Sequence, residues 1–141
     1  MPRTVIGHFT LTWIALMGLS ATATAADDGF KVCENVFRVA SASVARRDVG
    51  DTEKTLRAML PPMQDRSPSV SAESYEYLVS MHEIVTEVFA GAPLERLSYA
   101  TYRAELCHRR LSGLAVPKAG DGTLAAVRAC GRNQGNARIR C

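Results

Sequence analysis

From residue 30 onward the large apolar residues return every three or four positions, and no stretch alternates apolar with polar. That pattern confines the chain to helices, because a stripe of period 3.6 buries one helix face whereas a half-buried strand needs a period of two. Cys33, Phe37, Ala40 and Val44, with Phe30 and Val36 beside them, mark a first helix. Asp27 or Asp28 is placed to cap its start, Arg46 and Arg47 suit its last turn, and Gly50 stops it. Asp51 or Thr52 caps a short second helix carrying Leu56, Met59 and Leu60. Pro61-Pro62 ends it, since the residue before a proline is pushed out of helical geometry. Residues 61–70 are a loop. A third helix, about 72–90, carries Leu78, Met81, Val85 and Val88, widened by Tyr77, Ile84 and Phe89, and closes at Gly91 and Pro93. A fourth runs from near Ser98, a good cap, to Leu111, with Tyr102, Leu106, Cys107 and Leu111 inward. The expected fold class is all-α: a small disulfide-stabilised bundle of about four helices.

Beyond Gly113 glycine and proline are frequent and large apolar groups few. Residues 113–141 read as a basic Gly/Arg-rich extension with one short helix, 123–130, between the Asp121-Gly122 turn and Gly131. The organisation expected is a leader over 1–25, a helical domain over 26–112 and this extension.

The leader has the three parts of an export signal: Arg3, the apolar run Phe9–Leu19, and an A-x-A site at Ala23-Thr24-Ala25. A run of about 11 residues is too short for a spanning helix, which needs roughly 20, so no stable membrane insertion is expected. The address this predicts is the periplasm. Cys33, Cys107, Cys130 and Cys141 all follow the leader, and an even number of cysteines in an oxidising compartment implies disulfides. Four cysteines allow three pairings, which the sequence does not decide between. Position on the helices suggests Cys33 with Cys107 and Cys130 with Cys141.

The sequence offers no catalytic motif. His82-Glu83 opens an H-E-x-x-H pattern, but position 86 is threonine, so a zinc ligand is missing. Cys107 and His108 are adjacent on a helix and point about 100° apart, which prevents a nucleophile–base pair. No cofactor and no metal is expected. Charge is divided: residues 26–102 hold 8 basic and 12 acidic groups, residues 103–141 hold 8 and 2. The basic segment lacks any aromatic residue on which bases stack, which argues against nucleic acid as a partner.

Glu73, Glu76, Glu83 and Glu87 fall within a sector of about 80° on the third helix, opposite its apolar stripe. Three readings stand: a strip that recognises a basic partner protein, a solvated helix face, or a seat for the chain's own basic segment. On the first, reversing Glu76, Glu83 and Glu87 to lysine weakens a complex without unfolding the domain.

Cys33, the run Ala45-Arg46-Arg47-Asp48-Val49-Gly50, the run Val88-Phe89-Ala90-Gly91-Ala92-Pro93 and Cys107 together resemble a group of small secreted proteobacterial helical proteins. In these a first cysteine, an R-D-x-G turn, a Val-Tyr/Phe turn ending in proline and a last cysteine recur over about 80 residues. The resemblance covers residues 33–107 and implies an all-helical domain closed by Cys33–Cys107. The extension with Cys130 and Cys141 departs from it. A looser similarity of build is to periplasmic immunity proteins of type VI secretion systems. The function to expect is therefore an exported, non-enzymatic protein-binding protein, an immunity or inhibitor protein that neutralises a periplasmic toxin or cell-wall hydrolase by occlusion. The alternative is an envelope-stress or assembly accessory that binds several clients. Monomer and dimer are both compatible with the sequence.

Overall fold

The computed structural model describes residues 22–117 and 122–132, which form five helices: α1 Thr22–Asp48, α2 Glu53–Arg57, α3 Ala72–Phe89, α4 Arg96–Leu111 and α5 Thr123–Arg132. No strand occurs among the described residues. The fold is an all-α bundle in which α1 packs against both α3 and α4, α2 lies on α3, and α5 lies on α4.

The starts of α1 and α4 differ from expectation. α1 begins at Thr22, so neither Asp27 nor Asp28 caps it; Ala23-Thr24-Ala25-Ala26 contains nothing that breaks a helix, and alanine propagates one. α4 is capped by Glu95 rather than Ser98: its carboxylate accepts from the backbone N–H of Leu97 at 3.1 Å and of Ser98 at 2.6 Å. Burial pushes the Glu95 carboxyl up, but these backbone donors outweigh it and hold the group below its ordinary value. α3 is capped by Ser71, whose hydroxyl accepts from Ser74 N–H. Thr52 caps α2 as expected.

The stops follow backbone chemistry. At the end of α1, Gly50 N–H bonds to Arg47 O and Asp51 N–H to Arg46 O, the paired bonds of a Schellman turn, with Gly50 at φ 99°. α4 ends the same way through Gly113 and Leu114, with Gly113 at φ 65°. α5 runs through Gly131 to Arg132, past its expected stop.

The core joins Cys33, Val36, Ala40 and Val44 of α1 to Ile84 and Val88 of α3, Leu94, and Tyr99, Ala100 and Cys107 of α4. Each large side chain buried this way contributes about 1.5–3 kcal/mol. A disulfide joins Cys33 to Cys107, 74 positions apart, with Cα atoms 5.5 Å apart. The suggested Cys130–Cys141 pairing lies outside the described residues. Phe30 and Met59, read as stripe residues, are 58% and 61% exposed.

The C-terminal end of α3 is where the two turn motifs meet. Arg47 of the R-D-x-G run donates to Val88 O at 3.3 Å and Leu94 O at 3.2 Å, while Asp48 accepts from its Nε and Nη2. α3 has no basic residue in its own last turn. Arg47 supplies the positive charge that end favours.

Candidate functional site

The four glutamates singled out on α3 lead to a charged seam between α3 and α4. Glu76 is buried and accepts from Ser80 Oγ at 2.9 Å and Arg110 Nη1 at 3.2 Å. Glu83 sits between two guanidinium groups, 2.6 Å from Arg103 Nη2 and 2.9 Å from Arg110 Nη1. Glu87 accepts from Tyr99 Oη at 2.7 Å and Arg103 Nη1 at 3.2 Å. Glu73, one turn earlier and half-buried, has no ion-pair partner among the described residues.

Arg103 is the centre of the seam. It is only 1% exposed, and its Nε has no partner among the described residues. A buried guanidinium is tolerated only when it is paired, and the carboxylates of Glu83 and Glu87 pair it. Tyr99, fully buried beside it, has its hydroxyl pushed far above the ordinary value by burial and by the adjacent Glu87 carboxylate.

Three of the glutamates are thus engaged by the chain's own basic residues, and those residues come from α4. The sector does not lie opposite the buried face of α3. That helix packs its apolar stripe against α1 and its acidic edge against α4. The expectation that reversing Glu76, Glu83 and Glu87 leaves the domain folded is corrected by this geometry, because lysines there would face Arg103 and Arg110.

The seam has a pH signature. Burial pushes the Glu83 carboxyl up, but the hydrogen bonds and charges of Arg110 and Arg103 outweigh it and hold the group below its ordinary 4.5. Arg110 is raised in turn: burial opposes its charge, and the hydrogen bond and charge of Glu83 win. A carboxylate whose folded value is depressed contributes its full stability above its unfolded value, and loses it as pH falls through the folded one. Thermal midpoints should therefore hold down to about pH 5 and decline below the ordinary 4.5, and Glu83→Gln should flatten that decline. A decline of equal steepness in the variant would show that other groups set the acid limit.

Outside the seam, residues 57–66 form a strap that runs antiparallel along α3. Arg57 Nη2 donates to Thr86 Oγ1 at 2.9 Å, His82 Nε2 lies 2.9 Å from Pro61 O, and the Arg66 guanidinium sits 5.8 Å from the centre of the Tyr75 ring. His82 and Thr86, the two positions of the failed zinc pattern, thus hold the strap. Residues 61–66 are all exposed, and Met59 and Met63 project into solvent at 61% and 50% exposure.

The chain matches no protein-family model, no curated protein and no solved structure. Among the described residues no group of three histidine, cysteine or carboxylate side chains is arranged to hold a metal, and no helix is long and apolar enough to cross a membrane. Sequence reasoning missed Arg103, Arg110 and Tyr99 as partners of the acidic strip. The signal that could have found them is a shared spacing. Glu87, Glu83 and Glu76 step back by four and seven, and Tyr99, Arg103 and Arg110 step forward by four and seven.

Proposed function

We propose that the protein is exported to the periplasm through its N-terminal leader and acts by binding another protein, with no chemistry of its own. On this reading it is an immunity or inhibitor protein that occludes a toxin or cell-wall hydrolase. The observation that carries the binding surface is the strap: an irregular segment pinned at three points along α3, with Met59, Pro61, Pro62 and Met63 turned outward. A pre-organised loop with exposed apolar residues on a rigid helix enters a partner's cleft at low entropic cost. With Glu76, Glu83 and Glu87 occupied inside the fold, the strap replaces the acidic strip as the preferred surface.

Methionine favours a second reading as well. Its flexible thioether suits surfaces that accept many partners, which is what an envelope-stress or assembly accessory with several clients requires. A pull-down from periplasmic extract with the oxidised mature protein separates the two, since one retained protein supports an inhibitor and a broad set supports an accessory. With the retained partner in hand, Met59→Glu with Met63→Glu should weaken the complex by about 30-fold, as loss of an interface hot spot does, and leave the melting temperature in place. Unchanged affinity in the folded double variant would remove the strap as the contact surface.

A further inference from the structure

α5 is built differently from the helices it sits on. Among the described residues, α1, α2, α3 and α4 each have at least one buried side chain, and α5 has none. It has 10 residues, below the length of about 12–15 at which a helix persists in water unaided, so it is helical because it is docked. The anchoring comes from one face. Leu124 and Val127 are half-buried against the core, while Ala125 and Ala126 face solvent. Arg128, directly after Val127, donates from Nε to Ala92 O at 3.1 Å and from Nη2 to Glu87 O at 3.1 Å, and also to Ala90 O. These carbonyls belong to the last turn of α3 and the turn beyond it. Gly91, at φ 86°, passes beneath the guanidinium, and a Cβ added there would lie 3.8 Å from Arg128 Nη1.

We propose that α5 is an intramolecular ligand covering a docking groove along α4 and the C-terminal end of α3. Released, this groove accepts an amphipathic helix of a partner protein with aliphatic side chains at i and i+3 and an arginine at i+4. The occupant's chemistry is read from what the groove already holds: Leu124, Val127 and Arg128 stand at those three positions. The two apolar residues fill the α4 side, and the guanidinium meets carbonyls at the negative end of the α3 dipole. Lysine offers a single ammonium in place of the planar fork that reaches several carbonyls, so the groove selects arginine. Because α5 is tethered, its effective concentration is of millimolar order, and an external helix must compete with it. The proposal deepens the protein-binding reading by adding a second surface to the strap. A peptide probe tests it without any captured partner, so the two can fail separately.

The probe is a labelled peptide of residues 122–132 carrying Cys130→Ser, added to the oxidised full chain and followed by fluorescence anisotropy. Full chain with Val127→Asp and Arg128→Glu, which undocks α5, should bind it at least about 10-fold more tightly than the native chain does. A peptide that also carries Arg128→Glu should not bind. Equal binding to both chains, or binding to neither, would overturn the proposal. Hydrogen exchange on the native chain provides a test independent of the variant's folding: α5 amides should exchange at least about 100-fold faster than those in the middle of α1 and α4. Protection of α5 equal to that of α1 would mean that it leaves only on global unfolding, and the groove would then never be open.

Discussion

Replacing Arg103 by alanine is expected to destabilise the protein by about 3–5 kcal/mol, the cost of breaking a buried ion pair from one side. Its guanidinium is 1% exposed and bridges Glu83 and Glu87, so the substitution leaves two carboxylates in the seam with Arg110 and Tyr99 as their remaining partners. For a domain of this size each kcal/mol lowers the melting temperature by roughly 4–8 °C, so a fall of more than about 12 °C is the expected reading. The effect is not one of volume alone. Arg103→Met fills most of the space yet strands the same carboxylates, so it should recover little. Arg103→Met combined with Glu83→Gln and Glu87→Gln should recover a substantial part, because neutral amides cost far less to leave beside an apolar side chain. The reversal of Glu76, Glu83 and Glu87 to lysine is the extreme case: five cations would then share one partly buried seam, and the chain should not fold. A loss below about 1 kcal/mol for Arg103→Ala would mean that the seam behaves as a surface ion pair.

The mirrored spacing of the seam explains what could and could not be read beforehand. The apolar stripes gave the helices directly, because periodicity is local: Cys33, Ala40 and Val44 needed only their own neighbours to place them on one face. Which charges meet is not local. Four glutamates in one sector of α3 look the same in sequence whether they face solvent or a second helix. Only the antiparallel placement of α4 brings Arg103 and Arg110 onto them. Arg103 was counted as part of a basic C-terminal segment, although it lies in the middle of a helix and is one of the most buried residues in the fold.

Helix starts were misread for a similar reason. Serine is a common cap, so Ser98 drew attention. Yet Glu95 reaches two backbone donors from three residues upstream and ends the competition. The strap was legible only as a loop, because two of its attachments, Arg57 to Thr86 and Pro61 to His82, join residues 29 and 21 positions apart, beyond the reach of local periodicity. His82 drew notice for a chemistry it lacks, and its role is to hold a carbonyl. Arg47 links the R-D-x-G run to the carbonyls of Val88 and Leu94. That contact joins two turns far apart in sequence, and it concerns architecture alone.

The disulfide should carry the other large effect. Cys33→Ala with Cys107→Ala is expected to lower stability by about 4 kcal/mol, the loop-closure entropy released in the unfolded chain for a bridge spanning 74 positions. Two features make the whole of that loss visible. Both cysteines lie inside the apolar cluster, at 3% and 0% exposure, so the bond joins the two helices that share the most interface, α1 and α4. The fold is also small, with little surplus from its core to absorb the loss. Combined with Arg103→Ala the effects should add, because the bridge acts on the unfolded chain and the ion pair on the folded seam. Together they approach the 5–15 kcal/mol that a whole domain commands, so the combined variant should be unfolded at 25 °C. Denaturant unfolding of the four chains measures this directly. A bridge worth less than about 1 kcal/mol would contradict the loop-closure account, and would show that the reduced chain already holds α1 and α4 together before it folds.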